Sequence, residues 1–344
     1  MEAVFAHEQI LRQLLWDSGW TRWGWPETCG GLGGHPILRG VVLDELAAAG
    51  YTLPETFGLA EIVGPTLARF APGLHGEVAK MLRGDELWCQ GFSEPEAGSD
   101  LASLRTRARP QAGGWVLNGQ KVWTSRAHIA QRCLVLARTG TAESRHRGLS
   151  MFLVDLATPG ISVRPIGCVD GRNHLSEVFF TDVLAPAGSL VGEIDGGWQV
   201  AMYLLQFERG NFAWQRQAWL TSRLTEALAE ATEGGEHCAH GVGEAYLDLL
   251  ALRSTSYQTL CRLAEGQSLG PVISIDKVLL STAEKSVLDA ARALVWPSVE
   301  IGDGPSASVW RQEWWFSRVT SILGGSVEVQ RDIIANRVLA LPRG

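Results

Sequence analysis

The chain has 344 residues, of which 46% are hydrophobic and 19% are charged, and its formal net charge is −7. This composition supplies enough apolar material for buried cores, and it excludes an intrinsically disordered chain. The acidic balance argues against a protein that binds nucleic acid through bulk positive charge. At roughly 150 residues per domain, the length predicts two to three domains.

The cysteines and the N-terminal segment favour a cytoplasmic protein. Six cysteines are scattered without a C-x-x-C pair, which is typical of reduced thiols. Residues 1–15 carry charges where a secretion signal needs an unbroken apolar run. No stretch reaches the ~18 apolar residues that span a bilayer. We therefore expect a cytoplasmic protein that makes no membrane contact.

The first part of the chain has the pattern of helices, and the middle part has that of strands. Over residues 5–83, apolar residues recur at helical spacing, with Gly/Pro breaks at 26–34 and 72–76. Over residues 87–190, short apolar runs rich in β-formers predict strands. The candidate strands are 133–137, 149–154 and 177–183. In the segment 115–123, the pair Asn118-Gly119 suits a type I′ turn, so we interpret this segment as a β-hairpin.

Helical periodicity returns after residue 196 in four long stretches, which predict an antiparallel bundle. They cover 200–228, 244–264, 273–294 and 314–341, the last with a Gly-Gly interruption. The linker 231–243 is rich in Gly, Glu and His and is expected to be an exposed loop. The predicted fold class is therefore an α+β multidomain chain. It has an N-terminal α-helical domain (1–86), a middle β-barrel or sandwich domain (87–194) and a C-terminal four-helix bundle (195–344).

Three segments carry polar groups that suit a ligand. Residues 88–100 place backbone N–H groups and hydroxyls around a Gly-Ser pair, as an anion such as pyrophosphate requires. Trp123, followed by two hydroxyl residues, suits a flat heteroaromatic ring. Residues 324–326 read Gly-Gly-Ser and open an amphipathic helix, whose N–H groups suit a phosphate or an oxyanion. Taken singly, each segment has a plainer alternative: an ordinary turn, a core tryptophan or a simple helix start.

Together, in this order and spacing, the three segments resemble the signatures of the acyl-CoA dehydrogenase family, FAD-dependent enzymes that desaturate acyl-CoA thioesters. Gln90–Asp100 matches the S-E-P-x-A-G-S-D signature, and Asn118–Ser125 matches N-G-x-K-x-W-x-T/S. Gly324–Arg343 matches the closing G-G-T/S-x-E-I/V-Q-R version. The resemblance covers about residues 19–343 and implies the same α–β–α plan. The Gly-Gly-Ser ending resembles the actinobacterial branch that degrades steroids.

The resemblance also implies that FAD is the cofactor and that the matched motifs contact it. The residues concerned are Phe92, Ser93, Ser99, Trp123, Ser125, Ser326 and Glu328. Among them, Trp123 would cover one face of the flavin ring and Ser125 would lie near the reactive N5. Ser99 would also lie near the thioester of the substrate.

The implied reaction needs a base that removes the α-proton while the β-hydrogen leaves as hydride to flavin N5. Many relatives carry this base in a Y-E-G segment, where this chain has Gly324. Glycine lacks a side chain but keeps the backbone N–H that can stabilise the thioester oxyanion. Other relatives carry the base in a segment ending E-R, which matches Glu208-Arg209 here. Glu208 is therefore the candidate base, with Arg209 a candidate for substrate binding; a solvated Glu-Arg pair is the plainer alternative.

Three functions remain open at this point. The first is an acyl-CoA dehydrogenase for a bulky, for example steroid-derived, acyl-CoA. The second is a non-catalytic or half-site partner subunit of a heteromeric acyl-CoA dehydrogenase, and the third is a flavin oxidase or monooxygenase on the same fold. The expected partners are an acyl-CoA substrate, an electron-transfer flavoprotein or similar acceptor, and subunits of a homo-oligomer or a heterotetramer. We expect no nucleic acid and no metal, since the segment His237–His240 lacks a fourth ligand at plausible spacing.

Overall fold

The computed structural model describes residues 2–51, 55–231 and 238–342. The chain forms two compact units. The first, called the β unit here, consists of Met1–Gly33 and Glu55–Leu205, and the second, called the bundle unit, consists of Gly34–Pro54 and Gln206–Gly344. The domain boundaries expected after residues 86 and 194 stay predictions.

The N-terminal region is helical, as predicted. Its helices are α1 (Glu2–Asp17), α2 (Ile37–Ala48), α3 (Glu55–Phe70) and α4 (His75–Arg83). A turn that begins at Pro72 separates α3 from α4, because proline favours a helix start and disrupts a helix interior. In the β unit, Arg83 at the end of α4 donates to Asp17 at the end of α1 through Nε and Nη2, at 3.0 and 2.9 Å.

The middle of the chain is a mixed eight-stranded sheet, which confirms the predicted β region. The strands are β1 (Trp88–Gly91), β2 (Arg107–Gln111), β3 (Gly114–Ser125), β4 (Arg132–Arg138), β5 (Leu149–Asp155), β6 (Ile161–Ile166), β7 (Leu175–Pro186) and β8 (Leu190–Val191). Their order is β6-β7-β3-β2-β4-β5-β8, and β1 pairs in parallel with β4. Alternating apolar side chains from β3, β4, β5 and β7 form the core of this sheet.

The predicted hairpin at 115–123 is wrong. Asn118 and Gly119 lie inside the single strand β3, and the turn to β2 is at residues 112–113. The register of β3 against β7 shifts between Leu117 and Gly119, so the pair forms a bulge rather than a turn. Any Cβ at Gly119 would collide with Thr106, and Asn118 Nδ2 donates to Asp182 Oδ1 at 3.0 Å. Close packing against distant residues, not a reversal of the chain, requires glycine here.

The C-terminal region is helical, as predicted, with one difference in its last part. The helices are α5 (Gly197–Glu230), α6 (Ala239–Ala264), α7 (Ser274–Leu294), α8 (Ser298–Ile301), α9 (Pro305–Val319) and α10 (Val327–Ile333), followed by a π turn (Ile334–Val338). Residues 314–341 are therefore not one helix: α9 begins at Pro305, and residues 320–326 separate it from α10. Residues 232–237 of the loop predicted at 231–243 lie outside the described residues, and the prediction is wrong for 239–243, which belong to α6. None of the helices in the described part of the chain is long and apolar enough to cross a membrane.

Helix α2 belongs to the bundle unit although it precedes the sheet in sequence. Trp214 Nε1 on α5 donates to the carbonyl of Gly40 at 2.9 Å. Arg253 on α6 makes a bidentate pair with Asp44, at 2.8 and 2.7 Å. A Cβ at Gly40 would collide with Leu260 of α6, so glycine permits this close approach of the two helices.

Candidate active site

In the β unit, a buried ion pair fixes the segment that follows β1. Lys121 on β3 is fully buried, and its Nζ donates to Glu94 Oε1 at 2.8 Å and to the carbonyl of Phe92 at 3.0 Å. The backbone N–H groups of Arg105 and Thr106 donate to the same carboxylate, at 2.6 and 2.8 Å. The buried Lys121–Glu94 ion pair and its backbone hydrogen bonds therefore fix the motif residues around position 93.

The electrostatics of this support favour an ionised pair. Burial alone would raise the pKa of Glu94, but the charge of Lys121 and the hydrogen bonds outweigh it, so the pKa is lowered. Burial lowers the pKa of Lys121, and Glu94 opposes that shift. A further hydrogen bond, from Val122 N–H to the carbonyl of Ser93 at 3.0 Å, joins the segment to β3. The backbone carbonyls of Phe92 and Ser93 are thus held by Lys121 and Val122 of β3.

Next along β3, Trp123 presents a large aromatic face to the outside of the β unit. Its side chain is 56% exposed, and its backbone has a φ of +60°, in the left-handed region that non-glycine residues rarely adopt. The register against β7 shifts between Lys121 and Thr124, which turns the tryptophan away from the sheet core. Thr124 is buried with its Oγ1 unpartnered among the described residues, and Ser125 is exposed. An exposed tryptophan held in a strained conformation beside hydroxyl groups fits the face and edge of a flavin ring.

Ser99 lies on an exposed loop of the β unit. An isolated bridge between Glu94 and Ala97 closes the turn before it, and the next residue, Asp100, pairs with Arg145 at 2.7 Å. The loop is thus tied at both ends while the Ser99 side chain faces outward. Its predicted contacts with FAD and with the thioester stay predictions.

In the bundle unit, the structure brings Glu208 and Gly324 together. Gly324 has a φ of +65°, and a Cβ atom added to it would collide with Oε1 of Glu208 and lie 3.8 Å from Cε of Lys277. The carboxylate of Glu208, on α5, therefore occupies the space into which a side chain at position 324 would project. Burial raises the pKa of Glu208, and the charges of Arg209 and Lys277 oppose the rise.

Polar atoms without partners cluster beside this carboxylate. Both amide atoms of Gln330, a fully buried residue on α10, and Nε of Arg209 have no hydrogen-bond partner among the described residues. A Cβ at Gly325, whose φ is +93°, would collide with the Gln330 amide and lie 3.6 Å from Nη2 of Arg209. Buried polar groups that lack partners are costly in a structural core and common where a ligand completes the bonding. This cluster has the character of a binding site.

Ser326 and Glu328 lie at the start of α10. Oγ of Ser326 caps the helix by accepting from Val329 N–H at 3.4 Å. Glu328 is exposed, and hydrogen bonds from its own backbone N–H and from the Ser326 hydroxyl lower its pKa. Their predicted contact with FAD stays a prediction, since the observed bonds are those of a helix cap.

The metal prediction concerned a segment that is only partly described. His237 lies outside the described residues, and Cys238 is buried. Elsewhere, Cys168, Asp170 and His174 have potential ligand atoms within 4.8 Å of one another. Arg172 Nε already donates to Asp170 at 2.6 Å, so a cation of the chain itself balances this carboxylate.

Sequence reasoning missed four residues of these sites. The motifs contained Glu94, Lys121 and Gln330, but nothing in the spacing showed that they are buried. Lys277 drew no attention, although it is one of only four lysines in the chain. In an arginine-rich protein, the rarity of lysine and its place in an apolar stretch were the available signals, since Lys is seldom buried without a partner.

The acyl-CoA dehydrogenase middle domain matches residues 89–183 of this chain, and the acyl-CoA dehydrogenase C-terminal domain matches residues 195–339. The chain therefore belongs to the acyl-CoA dehydrogenase family, a family of oxidoreductases. This confirms the predicted family and fold class, and it confirms FAD at the level of the family. The aromatic face in the β unit and the unpartnered polar groups in the bundle unit fit such a cofactor and its substrate.

Particular relatives refine this assignment. The acyl-CoA dehydrogenase IpdE1 of Mycobacterium tuberculosis is 37% identical over 353 residues, covering 99% of this chain and 89% of that protein. A solved structure of the Tcur3481-Tcur3483 steroid acyl-CoA dehydrogenase has a TM-score of 0.86 at 27% identity and covers 98% of this chain and 89% of that one. The ChsE4-ChsE5 complex from Mycobacterium tuberculosis has a TM-score of 0.83 at 26% identity, with 100% and 92% covered. These similarities support the predicted steroid-catabolic branch.

Proposed function

We propose that this chain catalyses the α,β-dehydrogenation of an acyl-CoA thioester with a bulky, ring-bearing acyl group of the kind formed in steroid degradation. The relatives described as steroid acyl-CoA dehydrogenases support the substrate class. The acyl group itself is the part of the proposal that a substrate panel must decide.

One observation carries the mechanism: Oε1 of Glu208 occupies the space above Gly324. The carboxylate removes the α-proton of the thioester, and its raised pKa makes it a stronger base than an ordinary glutamate. The backbone N–H of Gly324 donates to the thioester oxygen, where negative charge develops. Arg209, with Nε unpartnered, donates to an oxygen of the substrate.

The β unit supplies the cofactor contacts in this proposal. Backbone groups at Phe92 and the hydroxyls of Ser93 and Ser125 bind the edge of the flavin ring, and Trp123 stacks on its face. When bound, FAD supplies a hydride acceptor for the β-hydrogen. Ser326 and Glu328 bind the nucleotide end of FAD, and Ser99 lies near the thioester.

The mechanism is tested by mixing the purified flavoprotein with acyl-CoA thioesters under anaerobic conditions and following the flavin absorbance. The panel runs from short chains to sterol-derived acids. We expect bleaching with a ring-bearing substrate, and Glu208→Gln should slow it by about 10³-fold while flavin stays bound. Glu226→Gln is the matched control on the same helix, since this residue pairs with Arg223. Normal bleaching by Glu208→Gln would refute the assignment of the base.

We infer as a second point that the chain works with a second acyl-CoA dehydrogenase subunit. The ChsE4-ChsE5 complex and the paired Tcur3481-Tcur3483 enzyme support a heteromer. Expression with and without a co-encoded family member, followed by light scattering and flavin quantification, tests this. Flavin retention and full turnover by the chain alone would favour a homo-oligomer instead. Flavin retained only with a partner, together with turnover unaffected by Glu208→Gln, would favour a half-site subunit.

A further inference from the structure

Lys277 is placed between two features of the candidate site. Its side chain is buried on α7, and Nζ donates to the carbonyl of Thr320, at the end of α9. Ser281, one turn further along α7, donates to the same carbonyl at 3.0 Å. Thr320 immediately precedes the segment that contains Gly324, so α7 anchors the chain just before the glycine.

The same lysine also faces the candidate base. Cε of Lys277 lies 3.8 Å from the point where a Cβ of Gly324 would stand, and Oε1 of Glu208 would collide with an atom at that point. Cε of Lys277 and Oε1 of Glu208 both lie within 4 Å of this one point, so the ammonium-bearing carbon and the carboxylate are close neighbours. Each acts on the charge of the other: Lys277 opposes the rise in the pKa of Glu208, and Glu208 opposes the fall in the pKa of Lys277.

We propose that Lys277 is a positioning residue for the α-proton abstraction: its ammonium group keeps Glu208 ionised and anchors the segment that carries Gly324. This inference rests on the proposed function for its catalytic meaning, while the Lys277–Glu208 interaction can be measured without turnover. Lys277 does not itself touch the reacting atoms in this proposal. It acts through the carboxylate and through the backbone of residue 320.

Three other charged groups among the described residues surround the pair. Glu208 is faced by Arg209 on its own helix and by Lys277 on α7. Lys277 is faced by Glu208, by Arg209, whose charge lowers the pKa of Lys277, and by Glu284, which is engaged with Arg216 in a buried ion pair. Burial lowers the pKa of Lys277 to about 8, so its side chain is charged below that pH. The ammonium charge is therefore present in the acidic range where the Glu208 carboxylate titrates. Lys277 is thus a cation supplied to Glu208 from outside its own helix.

The test compares substitutions that separate charge from structure. Lys277→Met removes the charge and the hydrogen bond to Thr320, Lys277→Gln keeps an N–H donor without the charge, and Lys277→Arg keeps the charge. Ser281→Ala is the structural control, because it removes the other donor to the Thr320 carbonyl without changing any charge. The readouts are the pH profile of turnover and an infrared titration of the protonated Glu208 carboxyl, identified by its absence in Glu208→Gln.

We expect Lys277→Met and Lys277→Gln to shift the acid limb of the pH profile upward by about one unit, since a cation at this range lowers a carboxyl pKa by about that much or more. On that limb the rate falls about tenfold. Lys277→Arg should stay near wild type, and Ser281→Ala should lower the melting temperature without moving the limb. Turnover by Lys277→Gln with an unmoved limb would overturn the inference.

The infrared titration distinguishes failure of this inference from failure of the proposed function. A shifted Glu208 titration in a protein that turns over no acyl-CoA would retain the interaction and refute the function. An unshifted Glu208 titration in Lys277→Gln that still turns over acyl-CoA would refute the Lys277–Glu208 interaction and retain the proposed function. Lys277→Gln also covers the case in which Lys277→Met does not fold, because it preserves a donor for Thr320.

Discussion

Glu94 in the β unit and Glu208 in the bundle unit are both withdrawn from solvent, but the protein treats them in opposite ways. Glu94 accepts hydrogen bonds from Lys121 and from two backbone N–H groups, and its pKa is lowered. Glu208 has two cations nearby but no hydrogen-bond donor among the described residues, and burial raises its pKa. Hydrogen bonds and a cation thus stabilise the ionised form of Glu94, whereas burial increases the affinity of Glu208 for a proton.

This difference in hydrogen bonding suits Glu94 to a structural role and Glu208 to proton transfer. A carboxylate that accepts several hydrogen bonds beside a cation is a poor base, because protonation would weaken interactions that stabilise the charged form. Such a group is suited to holding a segment rigid, as Glu94 does for the residues around Ser93. A carboxylate held in a poorly solvated place without donors is closer to the proton affinity that general base catalysis requires. The four experiments below test this contrast, beginning with the largest expected effect.

Removing the charge of Lys121 from the buried Lys121–Glu94 pair should cost the most stability. Lys121→Met leaves Glu94 buried without its cation, so we expect the free energy of unfolding to fall by about 3–5 kcal/mol, as measured by urea denaturation. Lys80→Met is the control, since that lysine is half exposed and 4.0 Å from Glu86, and its loss should change stability by less than about 0.5 kcal/mol. A cost below about 1 kcal/mol for Lys121→Met would show that the pair does not support the segment.

A second bundle carboxyl allows the contrast to be measured as a pH dependence. Asp276 is buried, accepts from Thr259 at 2.9 Å, has Oδ1 unpartnered among the described residues, and has its pKa raised by burial to about 7. The folded state therefore binds this proton more tightly than the unfolded state, so stability is lost as pH rises from about 4 to about 7. Asp276→Asn should remove this loss and stabilise the protein by about 4 kcal/mol at pH 8.

Chemical denaturation of wild type and Asp276→Asn from pH 4 to pH 8 measures this effect. Asp248→Asn on α6 is the control and should keep the wild-type pH dependence. Identical pH dependence in wild type and Asp276→Asn would mean that Asp276 is ionised in the folded protein throughout.

Adding one methyl group at Gly324 should displace the carboxylate of Glu208, the proposed base. Gly324→Ala brings a collision with Glu208 and a left-handed backbone strain, so we expect a loss of about 1–2 kcal/mol in stability and at least a tenfold loss of turnover. Gly266→Ala is the matched control: its φ is +74°, and no neighbouring atom lies within 4 Å of an added Cβ. Gly266→Ala should lose stability through backbone strain but keep its turnover. An equal loss of turnover in both variants would show that the contact between position 324 and Glu208 is not the cause.

The smallest effect on stability is expected at the exposed aromatic face. Trp123→Ala should change the free energy of unfolding by less than about 1 kcal/mol, because the side chain buries little surface in the β unit. It should weaken flavin binding about tenfold through the lost stacking, as measured by fluorescence titration of the apoprotein. Trp20→Ala, at 63% exposed, is the control and should leave flavin affinity unchanged. Equal flavin affinity in Trp123→Ala and wild type would exclude a stacking role.

The sequence was informative where a function depends on one residue and its absence. The family resemblance implies that Gly324 stands where many relatives carry the base, and it made Glu208 the candidate; the structure places the Glu208 carboxylate against that glycine. The order of helices, strands and helices was likewise readable from apolar spacing. Asn118-Gly119 misled because a local turn preference was outweighed by packing against Thr106. The roles of Lys277 and of the Glu94–Lys121 pair depend on contacts between residues far apart in sequence, which periodicity does not record.

The discontinuous bundle unit has a consequence for how the protein is made. Helix α2 leaves the ribosome long before α5 and α6, yet Gly40 and Asp44 bond to Trp214 and Arg253 on those two helices. Until then its apolar side has no native surface to cover it, and contacts between segments so distant form slowly. During synthesis this short helix is therefore made well before the helices of the bundle unit that cover it.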